Sequence, residues 1–419
     1  MIEKLTNCRI CGNKQLELVV DLGEQALTGV FLKDKAEYVS SGPLRLVKCH
    51  GDDCCGLLQL DHTYDLDEMY GDNYGYRSGL NASMVKHLNE KVTKILSIVN
   101  PDSGDLVIDI GSNDSSTLQA YPKEFRLVGI DPTGKKFKRY YPEHIELIPD
   151  FFTKEKAKKL FGTTKAKIIT SFSMFYDLPS PMQFMQDIYD VLDDDGVWVF
   201  EQSYMPTMLE KNSYDTICHE HLEFYSLQVI HYMTEKIGFN IIDVEFNDIN
   251  GGSFSVMVAK KTSAKFKEET SQQVNTILKK EQVLGLQSLE PYLSFQKRAE
   301  ETREALLDFL RTAKVENKTV YGLGASTKGN VILQFCNITE ELLPAIGEVN
   351  EEKFSTYTPG TGISILSEEE ILQRNPDYLL VLPWHFRSFF VKNKKFTKQT
   401  LSFPLPYLEH ITLIGVKDE

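Results

Sequence analysis

The sequence predicts an α/β protein of three domains, in which a small N-terminal metal-binding domain precedes two domains built on parallel sheets. Five of the seven cysteines fall within the first 55 residues, which sets that segment apart. From Asp105 onward, short apolar runs alternate with polar helical stretches, and a second alternation of this kind begins at Thr319. A chain of 419 residues exceeds what one hydrophobic core usually organises, so two or three domains are expected.

The domain boundaries follow from these patterns. We expect the N-terminal domain at 1–75, the first α/β domain at 76–262, linking helices at 263–318 and the second α/β domain at 319–419. The apolar runs predict strands at 44–47, 56–60, 105–110, 126–131, 145–150, 166–171, 197–201, 241–246, 253–259, 319–321, 378–382 and 412–416. Alternation of strands with helices favours a Rossmann-like fold for both larger domains, and the N-terminal segment is too small to bury much core.

The clustered cysteines indicate a zinc site. Cys8 and Cys11 form one short loop, and Cys49 begins a second loop that ends in Cys54 and Cys55. Two such loops can place four thiolates around one zinc ion with no position left for a substrate, so the zinc is expected to be structural. Cys55 is the favoured fourth ligand because Cys55-Gly56 repeats Cys11-Gly12, although Cys54 and an unliganded set of buried cysteines remain alternatives.

Composition excludes several classes of partner. The formal net charge is -14, which argues against nucleic acid because phosphate binding requires a basic field. No apolar run approaches the ~20 residues that a membrane helix needs. The N-terminus lacks the basic start and apolar stretch of a signal peptide, so a cytoplasmic location is expected and no membrane partner.

The loop after the first strand of the central domain carries the features of a nucleoside site. Gly111 follows the strand and lets the backbone approach a ligand, while Asp131 ends the next strand and could hold ribose hydroxyls. Asn113 and Ser115 stand where a pyrophosphate fingerprint has further glycines. A nucleoside without pyrophosphate therefore fits best, and S-adenosylmethionine is such a ligand, although a plain strand-turn-helix would look similar. The expected cofactor-binding residues are Asp109, Gly111, Ser112, Asn113, Asp131, Pro132, Asp150, Phe151 and Ser171.

A second group of ionisable side chains is the run His219-Glu220-His221. Its spacing is not the i, i+4 arrangement of a zinc helix. General acid-base chemistry is the better interpretation, because a neutral histidine can remove a proton and a neighbouring carboxylate can fix its tautomer. A solvated polar loop is the alternative.

A glycine-rich loop opens the second α/β domain. Residues 322–329 follow a predicted strand and end in Lys328-Gly329. Exposed backbone amides and one lysine suit a pyrophosphate, although the loop is not a Walker A motif and a purely structural turn remains possible.

Taken together, these motifs resemble the sugar C-methyltransferases that act on nucleotide-linked 4-keto-6-deoxyhexoses. The resemblance covers the whole chain and rests on the Cys-x-x-Cys-Gly loop, Asp-Ile-Gly-Ser-Asn-Asp, Cys-His-Glu-His-Leu-Glu-Phe-Tyr, Asn-Gly-Gly-Ser and Gly-Ala-Ser-Thr-Lys-Gly, in that order. It implies S-adenosylmethionine in the central domain and a sugar nucleotide, commonly linked to thymidine diphosphate, on the C-terminal domain.

The resemblance also implies roles for single residues. Glu220, His221 and Tyr76 become the catalytic residues, with His221 removing the proton on C3 of the sugar and Tyr76 steadying the enolate oxygen. Ser173 and Asp177 replace the Asn and His that the family tends to carry after the fourth strand. The implied substrate-binding residues are Tyr76, Ser173, Asp177, Asn250, Gly251 and Lys328. A sugar O- or N-methyltransferase, or a sugar-nucleotide-binding protein without catalysis, would share many of these features.

Overall fold

The computed structural model describes residues 2–64, 77–266 and 272–412. Within these ranges the strands are β1 Glu3–Lys4, β2 Leu16–Ala26, β3 Ser41–Cys49, β4 Leu58–Leu60, β5 His62–Thr63, β6 Leu106–Ile110, β7 Arg126–Ile130, β8 Ile145–Ile148, β9 Ala166–Phe172, β10 Leu192–Ser203, β11 Glu223–Phe224, β12 Phe239–Asn247, β13 Ser253–Lys260, β14 Val320–Leu323, β15 Ala345–Glu348, β16 Ser364–Ser367, β17 Tyr378–Val381, β18 Thr400–Phe403 and β19 Glu409–Thr412. The α-helices are α1 Ala82–Val99, α2 Gly134–Phe137, α3 Lys154–Phe161, α4 Pro181–Val191, α5 Met205–Glu210, α6 Leu227–Ile237, α7 Gln272–Val283, α8 Glu290–Val315, α9 Thr327–Phe335, α10 Glu368–Gln373 and α11 Arg387–Lys392.

The central domain is built on a seven-stranded sheet with the order β12-β13-β10-β9-β6-β7-β8. β13 runs antiparallel to both of its neighbours, and the remaining pairs are parallel. Every residue of β6 is buried, as expected for a strand covered by helices on both faces. The carboxyl ends of β6, β7, β8 and β9 therefore meet at one edge, where ligands bind in open α/β sheets. All seven predicted strands are present, and the Rossmann-like fold of this domain is confirmed.

The C-terminal domain contains a second sheet, with the order β16-β15-β14-β17-β18-β19. Its strands are parallel except β19, which pairs antiparallel with β18. The predicted strand at 412–416 lies outside the described residues beyond Thr412. β15, β16 and β18 have only four residues each, which is too short for their periodicity to separate them from loops.

The N-terminal domain forms a four-stranded antiparallel sheet with the order β11-β4-β3-β2. β11 comes from the middle of the chain and begins two residues after His221. The expectation that this domain buries little core is wrong, because Leu44, Leu46 and Leu58 are fully buried in a cluster that also contains residues of α8 and α9. The small domain is stabilised by sharing the core of its neighbours.

Helices α7 and α8 lie in the segment for which linking helices were predicted; the domain boundaries themselves stay a prediction. Glu281 on α7 is fully buried, and its carboxylate accepts hydrogen bonds from the backbone N–H groups of Leu227 and Gln228 at 2.7 Å each. A carboxylate at a helix N-terminus satisfies unpaired amides and complements the helix dipole, so α7 anchors α6. Across the described ranges, the helices include none with the length and apolar character to cross a bilayer.

Candidate active site

A cavity of about 280 Å³ opens at the carboxyl ends of the central strands. Ten residues that the sequence singled out line it: Asp109, Gly111, Ser112, Asn113, Asp131, Pro132, Asp150, Phe151, Ser173 and Asp177. Ser171 does not, because its side chain is buried in the core and its hydroxyl accepts a hydrogen bond from the Trp198 indole at 2.9 Å. The Ser171 side chain therefore does not face the cavity, and its role as a cofactor contact stays a prediction.

The loop after β6 has the backbone conformation of a ligand-binding turn. Gly111 has φ of 72°, and a Cβ at this position would lie 2.9 Å from Met174 Cγ. Asn113 adopts φ of 48°, and its backbone N–H donates to Asp131 Oδ2 at 2.7 Å. Asp131 thus ties the loop after β6 to the end of β7, and the glycine keeps the approach to the cavity free of a side chain.

Two acidic residues of the cavity differ in their surroundings. Asp109 is fully buried, and burial raises the pKa of its carboxyl group to about 7 although the Thr170 hydroxyl donates to it at 2.5 Å. Asp150 is exposed, and the hydrogen bond from Lys156 keeps its pKa below the ordinary value. Asp150 with the half-exposed Phe151 therefore forms the mouth of the cavity, while Asp109 supports its floor.

Replacing Asp131 tests the cofactor cavity. We expect Asp131→Ala to weaken S-adenosylmethionine binding by ~10- to 150-fold, because a ribose hydroxyl would lose a charged hydrogen-bond partner worth about 1.5–3 kcal/mol. Titration calorimetry measures the effect, with the exposed Asp102→Ala as the matched control. An unchanged affinity would remove Asp131 from the ribose site.

The run from Glu220 to Leu222 forms a loop between the central and N-terminal domains, directly before β11. His221 Nδ1 lies 2.7 Å from the backbone carbonyl of Thr216, to which it donates, and its Nε2 is thereby left as the acceptor. The tautomer is thus fixed by Thr216 and not, as expected, by Glu220. Burial and then the charge of Lys328 lower the pKa of His221 to about 4, so the ring is neutral at physiological pH.

His221 lies beside the wall of the cofactor cavity. Its ring packs edge-on against Tyr176, with centroids 4.6 Å apart, and Tyr176 immediately precedes Asp177 of the cavity lining. The backbone N–H of Leu222 also donates to the Tyr176 carbonyl at 2.9 Å. These contacts join the loop that carries His221 to the domain that carries the cavity.

Glu220 lies where all three domains meet. A Cβ added to Gly29 of the N-terminal domain would lie 2.6 Å from Glu220 Oε1 and 3.8 Å from Thr327 Oγ1 of the C-terminal domain. Burial raises the pKa of the Glu220 carboxyl group. The close approach of Gly29 explains why a glycine stands there, and it makes the N-terminal domain part of the surroundings of Glu220.

Cationic side chains converge on the turn at Asn250 and Gly251. Lys328 Nζ donates to the Asn250 carbonyl at 2.6 Å, and Lys211 Nζ donates to the Gly251 carbonyl at 2.9 Å. His385 lies beside the turn, and burial followed by the charges of Lys328 and Lys211 lowers its pKa to about 3. The structure thus brings Asn250, Gly251 and Lys328 together, and the charge of Lys328 also acts on His221. Their role in substrate binding stays a prediction.

The residues missed by sequence analysis are Thr216, Lys211, Asp215 and His385. Trp384 donates its indole N–H to Asp215 Oδ2 at 2.8 Å, which fixes the loop that bears His385. Pro383-Trp384-His385 follows β17, whose carboxyl end lies at the same edge as that of β14, so the order of strands could have indicated it. Tyr76, the expected hydrogen-bond donor, lies outside the described residues.

Four cysteines of the N-terminal domain are positioned to bind a metal. The Sγ atoms of Cys8, Cys11, Cys49 and Cys55 all lie within 4.8 Å of one another. Cys8 Sγ and Cys55 Sγ are 3.4 Å apart, close to the edge of about 3.8 Å in a tetrahedron with zinc–sulfur bonds of about 2.3 Å. Cys54, whose Sγ faces the Cys49 carbonyl, is not a member of this group within the described part of the chain. The donor set fits a structural zinc.

The fold and the cavity define the class of protein. A seven-stranded sheet with one antiparallel strand, a glycine turn after β6 and an acidic residue after β7 form the fold of S-adenosylmethionine-dependent methyltransferases. The family described as "Methyltransferase domain" matches residues 83–244. The family described as "Putative zinc binding domain" matches residues 8–70, and that described as "C-methyltransferase C-terminal domain" matches residues 248–406.

A curated relative is similar along almost the entire chain. The C-methyltransferase NovU of Streptomyces niveus is 28% identical over 399 residues, which cover 94% of this chain and 93% of the relative. Together with the three domain matches, this places the chain among the S-adenosylmethionine-dependent C-methyltransferases, and it is an enzyme.

Solved structures of methyltransferases are similar over less than half of the chain. A methyltransferase of Clostridium acetobutylicum is 12% identical, with 42% of this chain and 92% of that chain covered and a TM-score of 0.33. The N-methyltransferase NodS of Bradyrhizobium japonicum is 14% identical, with coverage of 43% and 98% and a TM-score of 0.31.

Proposed function

We propose that this enzyme methylates C3 of a nucleotide-linked 4-keto-6-deoxyhexose, with thymidine diphosphate as the carrier. The observation that carries the proposal is the position of His221, a neutral base between the cofactor cavity and the cationic site around Lys328. A carbon acid next to a keto group is a substrate that such a base can deprotonate. The name of the relative states methylation of carbon. The resemblance to the sugar C-methyltransferases is the basis for proposing a sugar nucleotide as the substrate.

The diphosphate of the sugar nucleotide would lie at Lys328. Lys328, Lys211 and His385 face one turn, and the described residues within ion-pair distance of these lysines include only Asp248, 3.8 Å from Lys211 and fully exposed. Lys328 is half-buried and Lys211 is 38% exposed, so both can reach a bound anion, and a diphosphate supplies two negative charges for them. The helix α9 begins directly at this loop, so its N-terminal amides add to the attraction.

The chemistry follows from what the residues can do. S-adenosylmethionine, held by the loop after β6 and Asp131, supplies an electrophilic methyl group on a sulfonium. His221 Nε2 accepts the proton from C3, and the electrons of the C–H bond move into an enolate whose oxygen was the keto group. Tyr76 is proposed to donate to that oxygen; Arg77, the next residue, forms an ion pair with Asp114 of the cofactor loop at 3.8 Å. With the cofactor bound, its methyl group would replace this proton on C3, and S-adenosylhomocysteine would be the second product.

The proposal is tested by solvent exchange at C3. With the 4-keto sugar nucleotide in deuterium oxide and no methyl donor, we expect deuterium to enter at C3, measured by mass spectrometry. A matched sample with the His221→Gln variant should show at least tenfold slower exchange. If the enzyme forms methylated product when the methyl donor is present, but no deuterium enters at C3 in the assay without it, the result would count against carbon deprotonation by His221.

A further inference from the structure

The N-terminal sheet contains a strand from the catalytic loop. In β11, Glu223 pairs with Gln59 and Phe224 with Leu58 of β4, and the Leu60 backbone N–H donates to the Leu222 carbonyl at 2.9 Å. Glu220 and His221 precede this strand by only two to three residues. Whatever holds β11 in the sheet therefore also sets the position of the proposed base.

Arg9 lies inside the metal-binding loop, between Cys8 and Cys11, and reaches this strand. Its side chain is 2% exposed, and its Nε lies 3.6 Å from Oε1 of Glu223, which is fully buried. The guanidinium also donates to the carbonyls of Leu60 at 2.7 Å and His62 at 3.0 Å. Arg9 thus connects the metal-binding loop with β11, with the end of β4 and with β5.

The positive charge of Arg9 stabilises the buried carboxylate of Glu223. Neither carboxylate oxygen of Glu223 has a hydrogen-bond partner among the described residues. Burial raises the pKa of the Glu223 carboxyl group, and the charge of Arg9, 3.6 Å away, opposes that rise and favours the ionised form. Removing one member of a buried ion pair leaves the other uncompensated, which is strongly unfavourable. β11 would have to leave the sheet or take in water to relieve that charge.

A bound zinc would fix the backbone from which the Arg9 side chain extends. The Cys8–Cys11 loop is otherwise closed by two backbone hydrogen bonds, from Gly12 to the Cys8 carbonyl at 2.9 Å and from Cys8 to the Asn13 carbonyl at 2.8 Å. A four-residue loop of this kind gains most of its rigidity from thiolate ligation. Loss of zinc would free Arg9, and through it β11.

We propose that the zinc site positions the catalytic loop through Arg9 and Glu223, so that Arg9 is a positioning residue for the base at His221. The inference rests on the proposed catalytic role of His221, but the coupling itself concerns the loop alone. Two further contacts support it: His219 Nε2 lies 3.3 Å from the Gly42 carbonyl, and Gly29 abuts Glu220. The N-terminal domain thus contacts the loop at three successive points.

Hydrogen-deuterium exchange tests the coupling without any substrate. Removing zinc from the full-length protein with a chelator, or introducing Arg9→Met, should each raise exchange of residues 221–225 at least tenfold. Exchange in β6 and β7 and the affinity for S-adenosylmethionine should change by less than twofold. Arg9→Lys should recover part of the protection because it restores the charge. Arg45→Met, whose partner Asp21 is half-exposed on the same sheet, is the matched control.

Combining zinc removal with the Arg9 substitution shows whether the two changes act through the same contact. If the zinc acts through Arg9, chelation of the Arg9→Met variant should add less than twofold to the exchange of this loop. Glu223→Gln, which keeps the side chain's shape without its charge, provides a second variant that should reproduce the Arg9→Met effect. Unchanged exchange of residues 221–225 after zinc removal would overturn the proposal. A failure of the sugar-methylation proposal would leave these exchange results intact, so the two can be told apart.

Discussion

His221→Gln is expected to lower kcat for methyl transfer by ~10³-fold while the Kd for S-adenosylmethionine stays within twofold of the wild type. General base catalysis contributes about 10²- to 10⁴-fold, and glutamine keeps the polarity of the side chain without a basic nitrogen. The cofactor cavity is separated from the ring by Tyr176, so its lining is preserved. Steady-state kinetics and calorimetry measure the two quantities.

The control for this variant is His144→Gln, since His144 is exposed and distant in sequence from both motifs. It should behave as wild type in both assays. Loss of cofactor binding in His221→Gln would mean that the residue shapes the cavity instead of removing a proton. Turnover near the wild-type rate would require another base, of which the nearest by sequence is Glu220, whose raised pKa also suits proton transfer.

Lys328→Met is expected to raise the KM for the sugar nucleotide by ~10- to 150-fold, because a charged hydrogen bond to a buried phosphate is worth about 1.5–3 kcal/mol. Methionine keeps the length and the apolar stem of lysine. The affinity for S-adenosylmethionine should be unaffected, since Lys328 does not line the cofactor cavity. Initial rates over a range of sugar nucleotide concentrations provide the measurement.

The same variant has a second readout in the pH profile. The charge of Lys328 lowers the pKa of His221, so its removal should move that pKa upward from about 4. The base is active when neutral, and the acid limb of kcat/KM should therefore shift to higher pH. Lys318→Met, which removes an exposed lysine paired with Asp377, is the control and should alter neither quantity. An unchanged KM in Lys328→Met would place the diphosphate elsewhere.

The two predictions concern residues that different domains contribute to one site. His221 belongs to the loop between the central and N-terminal sheets, and Lys328 opens α9 of the C-terminal domain. Asn250, whose carbonyl Lys328 contacts, precedes β13 of the central sheet. An arrangement of this kind suits a reaction between two ligands, each held by its own domain.

The sequence by itself determined the features that depend on local pattern. Alternating apolar runs predict the strands of the central sheet, because a buried parallel strand must be apolar on both faces. The glycine at 111 and the acid at 131 mark the cofactor loop, because each is required by the backbone or the ligand at a strand end. The spacing of Cys8, Cys11, Cys49 and Cys55 predicts a metal site, because two short cysteine loops can supply four thiolates to one ion.

Only the tertiary structure decided the contacts between residues far apart in the chain. Ser171 lies one residue before the end of β9, near the edge where ligands bind, yet its hydroxyl is buried and accepts a hydrogen bond from Trp198. Thr216 fixes the His221 tautomer through a backbone carbonyl, which carries no sequence signal. β11 joins a sheet whose other strands lie over 160 residues earlier, and Arg9 meets Glu223 for that reason. Periodicity reports which face of an element is buried, but the partner that covers it is chosen by packing of the whole chain.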